Sequence, residues 1–341
     1  MSTNPTIITP EITGNASKEA LLAYTQANFS KITEQLKTSG SVLFRGFQVN
    51  TPTDFEQVAL SMDNDLKDDY LGTSPRNIVK GTKFAFSASE LPPHYPIMQH
   101  CEMSFLPSAP RRLFFFCHIE PQIGGETPVC DFRNIYKKMD PAIRKDFETK
   151  GIRVIRNYGG PGQESKGAFQ LKPWEDMFQT TDKSIVERKC RENNIKVEWQ
   201  PNDGLRLISE QPAFKKHPET GEMVWFNHLQ VFHAAGAAIE YRKIARRQKT
   251  FDAWKVNIML TLMTWVKLVK ERPEERAMHV CYADGTEIPM KYIQHVQDLI
   301  WEEMYFLKWQ KGDVIMIDNF STAHGRMPYK GPREILVSWT S

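Results

Sequence analysis

The sequence predicts an α+β fold that is mainly β, and three observations carry that reading. Short apolar runs of strand length recur between Pro, Gly and Asp, as at Val197 to Trp199, Leu205 to Ser209 and Val224 to Asn227, which points to a β-sandwich or barrel. Two further apolar runs, Val314 to Ile317 and Ile335 to Trp339, stand on either side of a turn-rich link containing Gly325, Pro328, Gly331 and Pro332. Elsewhere the apolar residues are spaced as helices space them, over Ser17 to Lys37, Ile239 to Glu275 and Met290 to Met304.

A chain of 341 residues can bury a large core. We expect one domain over 1–341, carrying a basic helical insertion at about 239–282. With 40% hydrophobic residues, 25% charged residues and a net charge of +3, the composition is that of an ordinary globular protein. Nothing in the overall field argues for a nucleic-acid or membrane partner, and a mildly basic surface suits an anionic small molecule. Ile258 to Val266 is far shorter than the roughly 20 apolar residues of a membrane helix. The first ten residues lack the basic and apolar segments of a secretory signal. Five cysteines, at 101, 117, 130, 190 and 281, are odd in number and not closely paired, so a cytoplasmic chain with reduced thiols is expected. Such a compartment also favours a ferrous metal.

Taken in order, residues 1–16 read as an arm or edge strand. One amphipathic helix follows over Ser17 to Lys37 and ends at Gly40, before a buried strand from Ser41 to Phe47. Thr53 and Glu56 form a capping-box pattern ahead of Phe55, Val58, Ala59 and Met62, predicting a second helix. Residues 63–99 are polar and irregular, as lids and binding loops often are. Gln99 to Phe105 reads as extended, Arg112 to Cys117 as a hydrophobic strand, and Gly124 to Asp131 as a glycine turn entering another strand. Asp140-Pro141 starts a helix, and Gly151 to Tyr158 is a strand candidate with basic residues three apart. A loop over 159–181 is anchored by Trp174 and Phe178, with a short charged helix from Ile185 to Asn194. The 239–275 helical stretch is expected to solvate its lysines and arginines around an apolar stripe.

Chemistry is suggested first by His100 and Glu102. If the segment is extended, the two lie on one side of it, because strand side chains alternate. Nine histidines and 41 acids in 341 residues make such a pair expected about once by chance, so it carries little weight alone. His324 adds a second imidazole at the seam of the C-terminal runs. Arg333, nine residues later, has the planar fork that grips a carboxylate. Read alone, that segment fits a structural histidine and a solvated arginine equally well. Together, His100, Glu102 and His324 would be two imidazoles and one carboxylate, the set that leaves open positions on a non-heme Fe(II). His228 and His233, five apart, suit neither one helix face nor one strand face and read as supporting residues.

Several motifs then occur in a telling order: Leu43-Phe44-Arg45-Gly46-Phe47, the His100 and Glu102 pair, Gly124-Gly125-Glu126-Thr127-Pro128, Trp225-Phe226-Asn227, Gly312-Asp313, Asp318-Asn319, His324-Gly325-Arg326 and Gly331-Pro332-Arg333. From about residue 40 to 339 this series resembles the TauD/TfdA-like Fe(II)/2-oxoglutarate-dependent dioxygenases, within them the clavaminate-synthase-like and SyrP-like branch that acts on amino acids. The resemblance implies a double-stranded β-helix, a cupin-like jelly roll with helices packed outside. It implies iron on His100, Glu102 and His324, and 2-oxoglutarate with its distal carboxylate on Arg333 and Thr127. Asn227 and Arg326 are the substrate-binding candidates. The implied reaction uses O2 and releases succinate and CO2 while hydrogen is removed from an unactivated C–H bond. Hydroxylation, desaturation or oxidative cyclisation follows, on a small anionic or zwitterionic substrate such as an amino acid or N-substituted derivative, in secondary metabolism. Glutamate replaces the aspartate of many relatives at 102, as in the amino-acid-modifying branch, and its presence argues against a halogenase. A zinc-dependent hydrolase and a non-catalytic jelly-roll binding module are the alternative classes.

Overall fold

The apolar runs of the sequence become strands of two principal sheets, mixed with helices. The computed structural model describes residues 4–68, 76–89, 91–106, 108–163 and 171–341. Parts of the irregular 63–99 stretch and of the 159–181 loop lie outside the described residues. The larger sheet has six strands in the order Thr6–Ile8, Ser41–Phe44, Val314–Asp318, Arg112–Ile119, Glu334–Thr340 and Phe86–Ser87. The smaller has four: Tyr305–Leu307, Thr127–Asp131, Thr322–Arg326 and Ile97–His100.

The continuous hydrophobicity of the central strands follows from burial on both faces. Val42, Phe44, Phe114, Phe116, Val314 and Met316 turn one way and pack against Leu21, Ile32, Phe55 and Val58 of the N-terminal helices. Leu43, Leu113, Phe115, Ile315, Ile317 and Val337 turn the other way and pack with Val129 and Leu307 of the smaller sheet. Each fully buried phenylalanine here contributes about 1.5–3 kcal/mol. Arg45 pins the sheet edge to the C-terminal motif, its Nε and Nη2 donating to the buried Asp313 carboxylate at 3.0 and 2.6 Å. A third sheet, ordered Met278–Cys281, Ile152–Tyr158, Leu205–Gln211 and Lys196–Trp199, adds a further layer.

The expected edge strand at the N-terminus is present, pairing in parallel with Ser41–Phe44. The single N-terminal helix is in fact two, Lys18–Ala27 and Phe29–Ser39, because Asn28 leaves helical geometry and bonds its amide back to the Tyr24 carbonyl at 3.0 Å. The capping box is formed by Thr51 and Asp54 at the start of Pro52–Met62, two residues before the expected Thr53 and Glu56. The C-terminal link holds two strands of its own, Thr322–Arg326 and Tyr329–Lys330, so His324 sits mid-strand. The 239–275 stretch forms helices Gly236–Gln248 and Phe251–Lys270. The longer one packs chiefly on the shorter and buries only Ala253, Asn257 and Leu260. Arg246, Arg247, Lys249 and Lys270 are exposed, as expected, but so are the apolar residues Phe251, Ile258, Leu262, Trp265 and Val269, so the apolar stripe stays largely uncovered. Among the described residues no helix is long and apolar enough to cross a membrane. All five cysteines are buried and free.

Candidate active site

The smaller sheet brings the distant histidines together. His324 stands directly opposite His100 on one side and Val129 on the other. Opposed residues of an antiparallel pair share a face, so the two imidazoles become cross-strand neighbours, with ring centres 4.6 Å apart. Thr127, two residues from Val129, lies on that same face. Close approach of the two histidine strands depends on Gly325, where a Cβ would stand 2.5 Å from both the Ile97 carbonyl and the Gln99 amide nitrogen.

Glu102 arrives by a route the sequence did not suggest. The strand ends at His100, and a turn with Met103 at φ 53° carries the carboxylate back toward the histidines. Asn319 fixes that turn: its Oδ1 accepts from the Glu102 backbone N–H at 2.6 Å, while its Nδ2 donates to the carbonyls of Glu102 and Pro110 at 3.0 and 2.7 Å. Glu102 Oε2 stands 3.9 Å from His100 Nε2 and 3.7 Å from His324 Nε2. One ligand atom from each of the three residues lies within 4.8 Å of the others, a grouping that could hold a metal ion.

The ring chemistry fits a cation at that point. His100 Nδ1 lies 2.9 Å from the Met98 carbonyl and serves as its donor, which leaves the Nε2 lone pair free. Burial, with His100 beside it, pushes the His324 imidazole well below its usual range and keeps it neutral, as a metal ligand must be. The buried His324 Nδ1 has no hydrogen-bond partner among the described residues, and its Nε2 lies 3.7 Å from Glu102 Oε2. Phe115 of the larger sheet packs on the same ring at 4.9 Å.

Arg76, which sequence reasoning missed, meets Glu102 with its Nη2 at 2.9 Å while its Nη1 donates to the Ala88 and Ser87 carbonyls. It belongs to the irregular stretch, where no periodicity marks any residue. Asn319 stands out in the sequence only as part of the Asp318-Asn319 motif, and its reach of 217 positions to Glu102 has no local signature.

Arg333 and Thr127 do come together. The half-buried guanidinium donates from Nε to the Gly125 carbonyl at 3.1 Å and from Nη2 to Thr127 Oγ1 at 3.4 Å. Gly124 and Gly125 adopt φ of 70° and 72°, and a Cβ on Gly124 would meet the Pro328 carbonyl at 2.4 Å, which is why this turn is built from glycine. Among the described residues no carboxylate forms an ion pair with Arg333. Burial, with Arg326 close by, pulls its pKa down to about 10, so it is still charged at neutral pH and lacks a counter-ion.

The two substrate-binding candidates are differently employed. Asn227 is fully buried, its Nδ2 donating to the Ala213 carbonyl and its Oδ1 accepting from the Leu229 N–H, each at 2.8 Å. Both ends of the amide are consumed by backbone, so it shapes a turn. Arg326 spends both Nη groups on the carbonyls of Leu91, Pro92 and Tyr95, between 2.7 and 3.0 Å, and thereby fastens the segment before His100. His228 supports the site from beside it, its buried ring 5.3 Å from that of His100 and its Nδ1 2.7 Å from Ser104 Oγ. His233 is buried away from the three converging residues, among Arg276 and His279.

Known proteins resemble the chain over most of its length. The family model described as taurine catabolism dioxygenase TauD, TfdA family matches residues 5–339. The dapdiamide synthesis protein DdaC of Enterobacter agglomerans is 29% identical over 308 residues, covering 90% of this chain and 84% of that protein. A clavaminate synthase-like protein of Arabidopsis thaliana is 29% identical over 307 residues, covering 89% and 82%. In three dimensions the chain is similar in fold to a taurine dioxygenase from Burkholderia xenovorans, with TM-score 0.50 and 14% identity over 92% of this chain and 80% of the other.

Proposed function

The chain belongs to the taurine catabolism dioxygenase TauD, TfdA family, and on that premise we propose that it breaks an unactivated C–H bond of a small carboxylate-bearing substrate, an amino acid or an N-substituted amino-acid derivative. It is a dioxygenase whose cofactors are Fe(II), 2-oxoglutarate and O2. One observation supports the assignment of its site: His100, Glu102 and His324 converge on one point, and Arg333, bonded to Thr127 of the same sheet, pairs with no carboxylate among the described residues. Two sheets packed face to face support a double-stranded β-helix core, and the family match supports reading the chain as one domain with the 239–282 helices as an insertion.

When bound, the iron with 2-oxoglutarate and O2 supplies the oxidising power for C–H cleavage, with succinate and CO2 released. His100, Glu102 and His324 would hold the metal. Arg333 grips the distal carboxylate of 2-oxoglutarate with its fork, and Thr127 adds a hydroxyl donor, its oxygen already accepting from Trp309 Nε1 at 2.9 Å. Asn319 keeps the Glu102 turn rigid, and Phe115 excludes water from the His324 ring. Arg76 offsets the charge of Glu102. The product is hydroxylated, desaturated or cyclised according to where the substrate is held. The names of the dapdiamide synthesis and clavaminate synthase-like relatives support a place in secondary metabolism.

The test is succinate formation by the purified chain with Fe(II), ascorbate, O2 and 2-oxoglutarate across a panel of amino acids and their N-acyl derivatives. Substrate-dependent succinate, matched by an oxidised product, is expected. If 2-oxoglutarate is untouched across the panel while a zinc-loaded, oxygen-free sample turns over, the reading fails.

A further inference from the structure

The strand Ile152–Tyr158 buries alternate residues: Ile152, Val154, Arg156 and Tyr158 face inward, with Arg153, Ile155 and Asn157 half-buried between them. Three of the four inward positions are apolar or aromatic, as a core strand requires. The fourth is an arginine 2% exposed. Among the described residues its one hydrogen bond runs from Nη1 to the Tyr158 hydroxyl at 3.4 Å, and its buried Nε and Nη2 have no partner there. Among the described residues it forms no ion pair. The ring of Phe105 lies under the guanidinium at 4.6 Å, which offsets part of the cost of burying the charge and leaves the donors unsatisfied.

Arg156 lines a cavity of about 650 Å³ whose walls also include Arg76, Phe86, Leu106, Tyr158 and Leu207. Two acids, Asp68 and Glu192, line the cavity as well, and neither pairs with Arg156. The cavity adjoins the converging histidines through two side chains. Arg76 is in its wall and touches the Glu102 carboxylate at 2.9 Å. Phe105, beneath Arg156, stands 5.0 Å from the His228 ring, which neighbours His100.

An always-charged fork with free donors, in a partly apolar chamber next to the reacting centre, has the chemistry of an anion anchor. We propose that Arg156 binds the carboxylate of the substrate in this cavity, and that the apolar wall takes a carbon skeleton running toward Arg76. The site is separate from the pair at Arg333 and Thr127. Only its description as a substrate site rests on the oxygenase reading; the preference for a carboxylate rests on Arg156 alone.

The experiment uses the full chain with Fe(II) and saturating 2-oxoglutarate in the absence of O2, so that Arg333 is occupied and nothing turns over. N-hexanoylglycine and its uncharged counterpart N-hexanoylglycinamide are titrated calorimetrically. The acid binds tighter than the amide by about tenfold or more, as expected of charge-assisted hydrogen bonds to a buried donor. Arg156→Met abolishes the preference, Arg156→Lys reduces it several-fold, and 2-oxoglutarate affinity is unchanged in both. Equal binding of acid and amide by the wild type, or a full preference in either folded variant, overturns the proposal. Should Arg156→Met not fold, the wild-type pair and Arg156→Lys still decide. A wild type that binds neither Fe(II) nor 2-oxoglutarate defeats the oxygenase reading instead, and the acid-to-amide comparison on the metal-free chain then judges Arg156 separately.

Discussion

Replacing Arg333 with methionine separates cosubstrate binding from metal binding. In the absence of ligand the guanidinium donates to the Gly125 carbonyl at 3.1 Å and, at a long 3.4 Å, to a Thr127 hydroxyl that Trp309 already serves. Burial has meanwhile drawn its pKa down to about 10. Methionine therefore forfeits one ordinary hydrogen bond, about 1 kcal/mol, and relieves an unpaired charge, so unfolding free energy changes by no more than about 1 kcal/mol. With 2-oxoglutarate present the account differs. Two charge-assisted hydrogen bonds of about 1.5 kcal/mol or more each are lost, which weakens binding by roughly 100-fold. Calorimetric titration of 2-oxoglutarate into the anaerobic Fe(II) protein, beside titration of Fe(II) alone, checks both parts. Arg333→Lys recovers only part of the loss, because a point charge cannot reproduce a fork. Equal loss of iron and 2-oxoglutarate affinity, or unchanged 2-oxoglutarate affinity, refutes the role given to Arg333.

Two further perturbations test other layers of the structure. Asn319→Ala removes two hydrogen bonds to the Glu102 backbone and one to the Pro110 carbonyl and is expected to lower Fe(II) affinity about tenfold, measured by competition with a chelator; unchanged affinity in a folded variant would mean that the turn holds itself. Glu240 is buried under Trp301 and Gln297, and burial, only partly opposed by those hydrogen bonds and by nearby Lys243, raises its pKa from 4.5 to about 7. The native state thus holds this proton more tightly than the unfolded chain does. Its stabilising effect is complete below about pH 4.5 and is lost as pH rises through 7, a change of about 3 kcal/mol. Glu240→Gln, with no proton to lose, should gain about 2.5 kcal/mol on the wild type between pH 5 and pH 8 in denaturant unfolding, and a constant difference across that range counts against the assignment.

The strands were legible because their burial on two faces writes itself as unbroken apolar runs, as in Leu113 to Cys117 and Val314 to Ile317. The histidines were legible because each sits in or beside such a run. Glu102 is legible for a different local reason: alternation along a strand predicts it, whereas the strand ends at His100 and Glu102 lies in a turn held by Asn319. Asn227 and Arg326 had suitable side chains and suitable positions, yet their donors belong to nearby backbone, a matter of which carbonyl lies within 3 Å that no residue type announces. Arg76 and Asn319 act across 26 and 217 positions, and their partners become visible only once the chain is folded.

The arginines give the site its sign. Arg333 lacks a carboxylate partner, Arg326 is buried among carbonyls close enough to depress the pKa of Arg333, Arg156 is buried with idle donors, and Arg76 alone is matched, by Glu102. A net charge of +3 over 341 residues gives no hint of this concentration. Three cations that pair with no carboxylate among the described residues, around one carboxylate and two imidazoles, form a field that is costly to bury and is relieved by anions. Tight 2-oxoglutarate binding by itself would relieve only the part nearest Arg333. The charge left at Arg156 is the physical reason to expect that the second small molecule brings a carboxylate of its own.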